Sequence, residues 1–207
     1  MPVDYSLYLV TDPYLVGTKD FYTSVRKALE GGVTLLQVRE KDASSRDFYT
    51  RGLRLKEIAN EFGVPLIVND RVDIALAIDA DGVHIGQDDL PLEVVRQLLG
   101  PDKILGYSVS NLEEARYGQR MGADYLGAGP LYATSSKPDA VSPIGIEGIA
   151  TIKQGVKIPV IGIGGVTAYN LSQVKSTGID GIAVISAILS REDTFRAARE
   201  LRELWRK

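Results

Sequence analysis

The chain contains no cysteine, so disulfides and thiolate catalysis are excluded, while the redox compartment stays open. Histidine occurs once, at His84, and no pair of histidines stands at metal-ligand spacing. No stretch approaches the roughly 20 apolar residues that a membrane-spanning helix needs. The opening residues, 1–12, lack the basic and apolar regions of a secretory signal. Basic blocks are missing as well, and the formal net charge is −3, which gives no reason to expect a nucleic-acid partner. Neither a Walker A sequence nor a GxSxG elbow is present. What remains is the expectation of a cytoplasmic enzyme acting on small molecules, with no nucleic acid and no membrane as partner. Oligomeric state is not readable.

What is present suits one core. The 207 residues show no linker, and 44% hydrophobic with 25% charged residues is ordinary for a globular domain, so 1–207 reads as a single domain. Apolar runs predict strands at 5–10, 33–38, 64–68, 82–85, 104–108, 125–129, 158–163 and 181–185. Between and after them, helical spacing predicts helices at 19–30, 44–62, 72–78, 92–99, 112–121, 146–154, 171–176 and 194–205. An internal repeat supports this alternation. The even strands share an entrance: Glu30-Gly-Gly-Val33, Asp79-Ala-Asp-Gly-Val83, Gly122-Ala-Asp-Tyr125 and Gly178-Ile-Asp-Gly181. Strands three and seven match as Val64-Pro-Leu-Ile67 and Ile158-Pro-Val-Ile161. Four βαβα units in series, with nearly continuous apolar strands, predict a parallel sheet covered by helices. The expected fold is α/β, a single-domain (β/α)8 TIM barrel, with a doubly wound open sheet as the alternative.

In such a barrel, residues just after the strands share one rim, and that rim builds the site. It collects Gln37, Arg39 and Lys41; Asn69 and Asp70; Gln87, Asp88 and Asp89; Ser108; Thr134 to Lys137; Gly164 and Gly165; Ile185 and Ser186. Cations, carboxylates, hydroxyls and glycine-rich backbone together suit phosphorylated substrates with a magnesium ion. Asp70 and one of Asp88 or Asp89 can share that cation; equally, they can cap the helices that follow. Gly164-Gly165 with Ser186 can bind a monophosphate through backbone N–H groups, or can mark a tight turn. His84, between apolar neighbours, reads as a packing residue or pocket wall rather than an acid–base group. Trp205 is expected to pack the last helix onto the barrel.

These motifs resemble one family, the thiamin phosphate synthases. The pieces are Gln37-Val-Arg-Glu-Lys41, Asn69-Asp70, Ala80-Asp-Gly-Val-His-Ile-Gly-Gln-Asp-Asp89, Gly106-Tyr-Ser108, Gly129-Pro130 with Thr134 to Lys137, and Ile163-Gly-Gly165. The resemblance runs along nearly the whole chain. It implies condensation of hydroxymethylpyrimidine diphosphate with thiazole phosphate, giving thiamin phosphate and pyrophosphate by Mg²⁺-assisted dissociative alkyl transfer. It further implies that Gln37, Arg39, Lys41, Asn69, Ser108 and Lys137 hold the pyrimidine diphosphate, with Arg39, Lys41, Lys137 and Ser108 acting in catalysis. By the same resemblance Thr134, Ser136, Gly165, Ile185 and Ser186 hold the thiazole phosphate. Asp70 and Asp89 bind Mg²⁺, and the choice of Asp89 over Asp88 rests on the resemblance alone. The chain departs from the family's usual Thr-x-Thr-Lys in the loop, where it has Thr134-Ser-Ser-Lys137. The loop at 130–143 is long for its place and is expected to act as a lid. The alternatives are a thiazole tautomerase-like paralogue and a non-catalytic barrel that binds thiamin phosphates.

Overall fold

The computed structural model describes residues 3–133 and 142–207. Eight parallel strands close into a barrel in sequence order. They are β1 (Leu7–Val10), β2 (Leu35–Val38), β3 (Leu66–Asn69), β4 (Gly82–Ile85), β5 (Ile104–Val109), β6 (Tyr125–Ala128), β7 (Val160–Ile163) and β8 (Gly181–Val184). Around them lie α1 (Phe21–Glu30), α2 (Ser45–Glu61), α3 (Val72–Ala77), α4 (Leu92–Leu99), α5 (Leu112–Arg120), α6 (Gly145–Gly155), α7 (Leu171–Lys175), α8 (Ser186–Leu189) and α9 (Thr194–Arg206). The open-sheet alternative is excluded, because β1 pairs with both β2 and β8. The short α8 is an extra turn between β8 and the closing helix α9.

Local chemistry explains the boundaries. Asp20, Ser44, Asn111 and Asp193 cap α1, α2, α5 and α9 with side-chain acceptors, each taking an N–H of the first turn. β3 and β7 start later than their apolar runs, directly after Pro65 and Pro159. A proline has no N–H to give the ladder, and here each supplies only its carbonyl, accepting from Leu36 at 3.1 Å and Leu126 at 2.9 Å.

The repeat at the even-strand entrances has a structural meaning. The residue before each even strand accepts a backbone N–H from the start of the preceding odd strand. Thr34 Oγ1 takes Leu7 N at 3.0 Å, Asp81 takes Leu66 N at 2.8 Å, Asp124 takes Leu105 N at 2.7 Å and Asp180 takes Val160 N at 2.7 Å. Four clasps thus hold the N-terminal face of the barrel, the end that serves stability in this fold. Trp205 packs partly buried against the core, as expected.

Candidate active site

The carboxyl ends of the strands bring most of the expected residues to one mouth. Gln37 closes toward the axis from β2, Asn69 ends β3, His84 stands on β4 and Ser108 on β5. With Tyr8, Val10, Tyr125, Gly127, Ile161, Ile163 and Ala183 they line one cavity inside the barrel. Its volume is about 20 Å³, room for a water, so it is the floor of the mouth, where apolar strand residues meet convergent polar groups.

Above that cavity lies the charged rim. Arg39 follows β2 and is 8% exposed; its guanidinium lies 4.0 Å from Asp12, at the end of β1. Its backbone N–H donates to Thr11 Oγ1 at 3.1 Å, which pins the start of the loop. Glu40 turns the other way, into Arg51 of α2, and is buried there. The alternation sends Arg39 and Lys41 to the opposite side from Glu40. Lys41 Nζ reaches to within 3.8 Å of Asp70, and both side chains are partly open to solvent. Sequence reasoning missed Asp12 and Glu40; Asp12 was visible as the acidic end of the first strand but was not assigned.

Asp70 has a positive φ of 61°, a left-handed conformation rare outside glycine and tolerated best by Asn and Asp. The N-cap position of α3 falls on Arg71, and that of α4 on Pro91, neither with a side-chain cap bond. Asp89 Oδ2 instead accepts the Gly86 N–H at 2.7 Å and so closes the β4–α4 turn. Thus Asp89 caps a turn rather than a helix. Among the described residues no three His, Cys, Asp or Glu side chains gather into a metal cluster. Two carboxylates after neighbouring strands are nevertheless what magnesium takes from a protein when substrate phosphates and water complete its shell. The donor set fits that ion.

The monophosphate candidates follow β7 and β8. Gly164 and Gly165 have φ of 95° and 68°, so the tight-turn requirement is real. Asn170 Nδ2 donates to the Gly165 carbonyl at 2.9 Å, and Asn170 Oδ1 accepts the Thr167 N–H at 2.8 Å, fixing the turn. Ile185 is the N-cap of α8 and Ser186 its first, exposed residue. Thr134, Ser136 and Lys137, with the lid reading, lie outside the described residues.

His84 has both ring nitrogens in hydrogen bonds: Nδ1 with Tyr125 Oη at 2.9 Å and Nε2 with Ser108 Oγ at 2.9 Å. It is at once a buried packing residue and a wall of the cavity. Tyr8 and Tyr125 were not singled out as site residues by sequence reasoning. Burial pushes both phenols up, so each keeps its proton. A signal for the close approach did exist: Gly106 and Gly127 interrupt otherwise apolar strands.

Comparison with known proteins gives the family. The family model described as thiamine monophosphate synthase matches residues 7–188. A thiamine-phosphate synthase of Desulfitobacterium hafniense is 68% identical over 206 residues, all of both chains. One of Syntrophomonas wolfei is 52% identical, covering 99% of this chain and 98% of the relative. The solved thiamine phosphate pyrophosphorylase from Pyrococcus furiosus superposes with a TM-score of 0.90 at 45% identity, covering 99% of this chain and 96% of its own.

Proposed function

The chain belongs to the thiamine monophosphate synthase family, and on that premise we infer how its barrel mouth joins hydroxymethylpyrimidine diphosphate to thiazole phosphate. The enzyme is a transferase that forms thiamin phosphate and releases pyrophosphate. The observation that carries the residue assignment is the nearness of Lys41 and Asp70 at 3.8 Å, with Arg39 two residues before Lys41 and 4.0 Å from Asp12, on the rim that follows the strands whose Gln37, Asn69, His84 and Ser108 line the cavity. A cationic rim suits a diphosphate bound outward, with the planar ring turned toward Gln37, Asn69 and Ser108 on the floor of the mouth.

In this reading Arg39, Lys41 and Lys137 neutralise the charge that gathers on the departing diphosphate, an electrostatic contribution that grows as the carbon–oxygen bond lengthens. Asp70 and Asp89 would hold Mg²⁺, which supplies further positive charge to the diphosphate oxygens. Gln37, Asn69 and Ser108 orient the pyrimidine. Thr134, Ser136, Gly165, Ile185 and Ser186 hold the thiazole phosphate, so that the thiazole nitrogen waits beside the reacting carbon. No protein nucleophile takes part, in keeping with a chain that has no cysteine. A cytoplasmic location goes with this reading, because phosphorylated substrates do not cross a lipid core unaided.

Incubation with both substrates and Mg²⁺, assaying pyrophosphate and thiamin phosphate together, tests the function. Equal amounts of both products are expected. Pyrophosphate without thiamin phosphate, or neither, would overturn it. The tautomerase-like reading predicts turnover of a thiazole phosphate alone, and the intact Arg39, Lys41, Asp70 and Asp89 set argues against it.

A further inference from the structure

Four contacts, three buried and the last part-buried, join side chains from five strands into one line across the barrel. Gln37 Nε2 donates to Tyr8 Oη at 2.6 Å, Tyr8 Oη meets Tyr125 Oη at 2.8 Å, Tyr125 Oη meets His84 Nδ1 at 2.9 Å, and His84 Nε2 meets Ser108 Oγ at 2.9 Å. The protons along this line can be counted. An amide nitrogen only donates, so Tyr8 accepts from Gln37. Tyr8 and Tyr125 are 2% and 0% exposed, and an unpaired hydroxyl proton there is costly. Tyr8 therefore passes its one proton to Tyr125, and Tyr125 passes its own to Nδ1. The ring proton of His84 then sits on Nε2 and points at Ser108 Oγ. Ser108, already accepting, keeps its proton for the cavity.

The backbone is shaped around this line. A Cβ at Gly106 would overlap Tyr125 Oη and His84 Nδ1, and one at Gly127 would stand 3.0 Å from His84 Cε1. Two strands thus do without side chains where the rings pass.

We propose that Tyr8, Tyr125 and His84 are positioning residues that fix the proton order from Gln37 to Ser108, so that Ser108 meets the diphosphate substrate as a hydrogen-bond donor. This rests on the assignment of Ser108 to that substrate made above. The device is selective. An acceptor atom of the substrate facing Ser108 is matched, whereas a donor there leaves two protons opposed, and a site built this way rejects such an analogue strongly. Turning the Gln37 amide over would reverse every bond in the line, so the polarity is open to direct measurement.

The chain's single histidine makes the measurement clean. With ¹⁵N-labelled histidine, two ring nitrogens are seen, both from His84. In the wild type, Nε2 is expected to carry the proton and Nδ1 to be bare. Tyr125→Phe should mix the two tautomers, and Tyr8→Phe should do so to a lesser degree. Tyr125→Phe should raise KM for the pyrimidine diphosphate about tenfold, the effect of losing one hydrogen bond, and leave KM for the thiazole phosphate unchanged. In a Ser108→Ala background Tyr125→Phe should add little, because the line then ends before the substrate. A proton on Nδ1 in the wild type overturns the proposal, as does an unchanged tautomer in Tyr125→Phe or full additivity with Ser108→Ala. If Tyr125→Phe does not fold, the wild-type spectrum and Tyr8→Phe decide. The ¹⁵N spectra need no turnover, so they report the proton order even if the synthase assay fails.

Discussion

Asp70 can be tested without disturbing its backbone, because asparagine tolerates the same left-handed φ of 61°. Asparagine at 89 likewise keeps an oxygen for the Gly86 N–H. Each substitution removes charge and little else. Asp70→Asn and Asp89→Asn should each lower kcat by about 10²–10³ and raise the Mg²⁺ concentration needed, the scale of losing one transition-state charge contact. Their unfolding free energies should change by only about 1 kcal/mol. Asp88→Asn is the control and should stay near wild type; normal activity of all three at limiting Mg²⁺ would leave the two carboxylates with structural work alone. The thiazole phosphate side needs a different probe from the glycine turn. A Cβ at Gly165 would stand 2.7 Å from that of Tyr132, at a φ of 68°, so alanine there strains the turn whether or not phosphate binds. Ser186 is exposed at the start of α8, so Ser186→Ala removes a hydroxyl from the surface. It should raise KM for the thiazole phosphate about three- to tenfold and leave the diphosphate's KM and the melting temperature alone. Titrating each substrate separately distinguishes this from a general loss.

At the scale of the element, the two glycine-bearing strands, β5 and β6, carry the most specific demand. Gly106→Ala would press a methyl into the Tyr125 ring and the His84 imidazole, so both rings would have to shift. Overpacking of this kind costs about 1–3 kcal/mol, or roughly 2–12 °C of melting temperature for a chain of this size. The ¹⁵N signals of His84 should move with it, since the same methyl meets Nδ1. An unchanged melt and spectrum would show that the rings can step aside. These strands also mark what the sequence tells and what it withholds. β4 and α4 lie where the apolar pattern puts them, because turn residues bound both ends. β3 and β7 do not, because apolar periodicity reports burial, whereas a strand begins where N–H groups can join the ladder, after Pro65 and Pro159. The places of the described rim residues were legible, since each stands at a strand's carboxyl end or within four residues of it. The line from Gln37 to Ser108 was not. Its members stand at 8, 37, 84, 108 and 125, and only barrel closure makes them neighbours.

For the whole molecule, the barrel divides its labour between two ends. The rim carries Arg39, Lys41, Asp70 and Asp89, to which the proposed function gives the phosphates and Mg²⁺, and the opposite face carries the four clasps that tie each odd strand to the entrance of the next even one. If that division holds, variants at the two ends should fail in different ways. Asp180 is the cleanest probe of the far end. Its carboxylate accepts the Val160 N–H at 2.7 Å and Lys153 Nζ at 2.5 Å, binding β7, α6 and β8 together. Asp180→Ala leaves that N–H and that ammonium without their acceptor. The side chain is 37% exposed, so water offsets part of the loss and the lower end of the range for a charged hydrogen bond applies. A cost of about 1–2 kcal/mol follows, which lowers the melting temperature by about 2–8 °C. kcat and both KM values, measured well below the melt, should match the wild type. Asp180→Asn keeps an acceptor for Val160 and should recover part of the stability. Were Asp180→Ala to change kinetics as much as Asp70→Asn while leaving the melt untouched, the two faces would not be separable, and the repeat of clasped strand entrances would need a catalytic explanation.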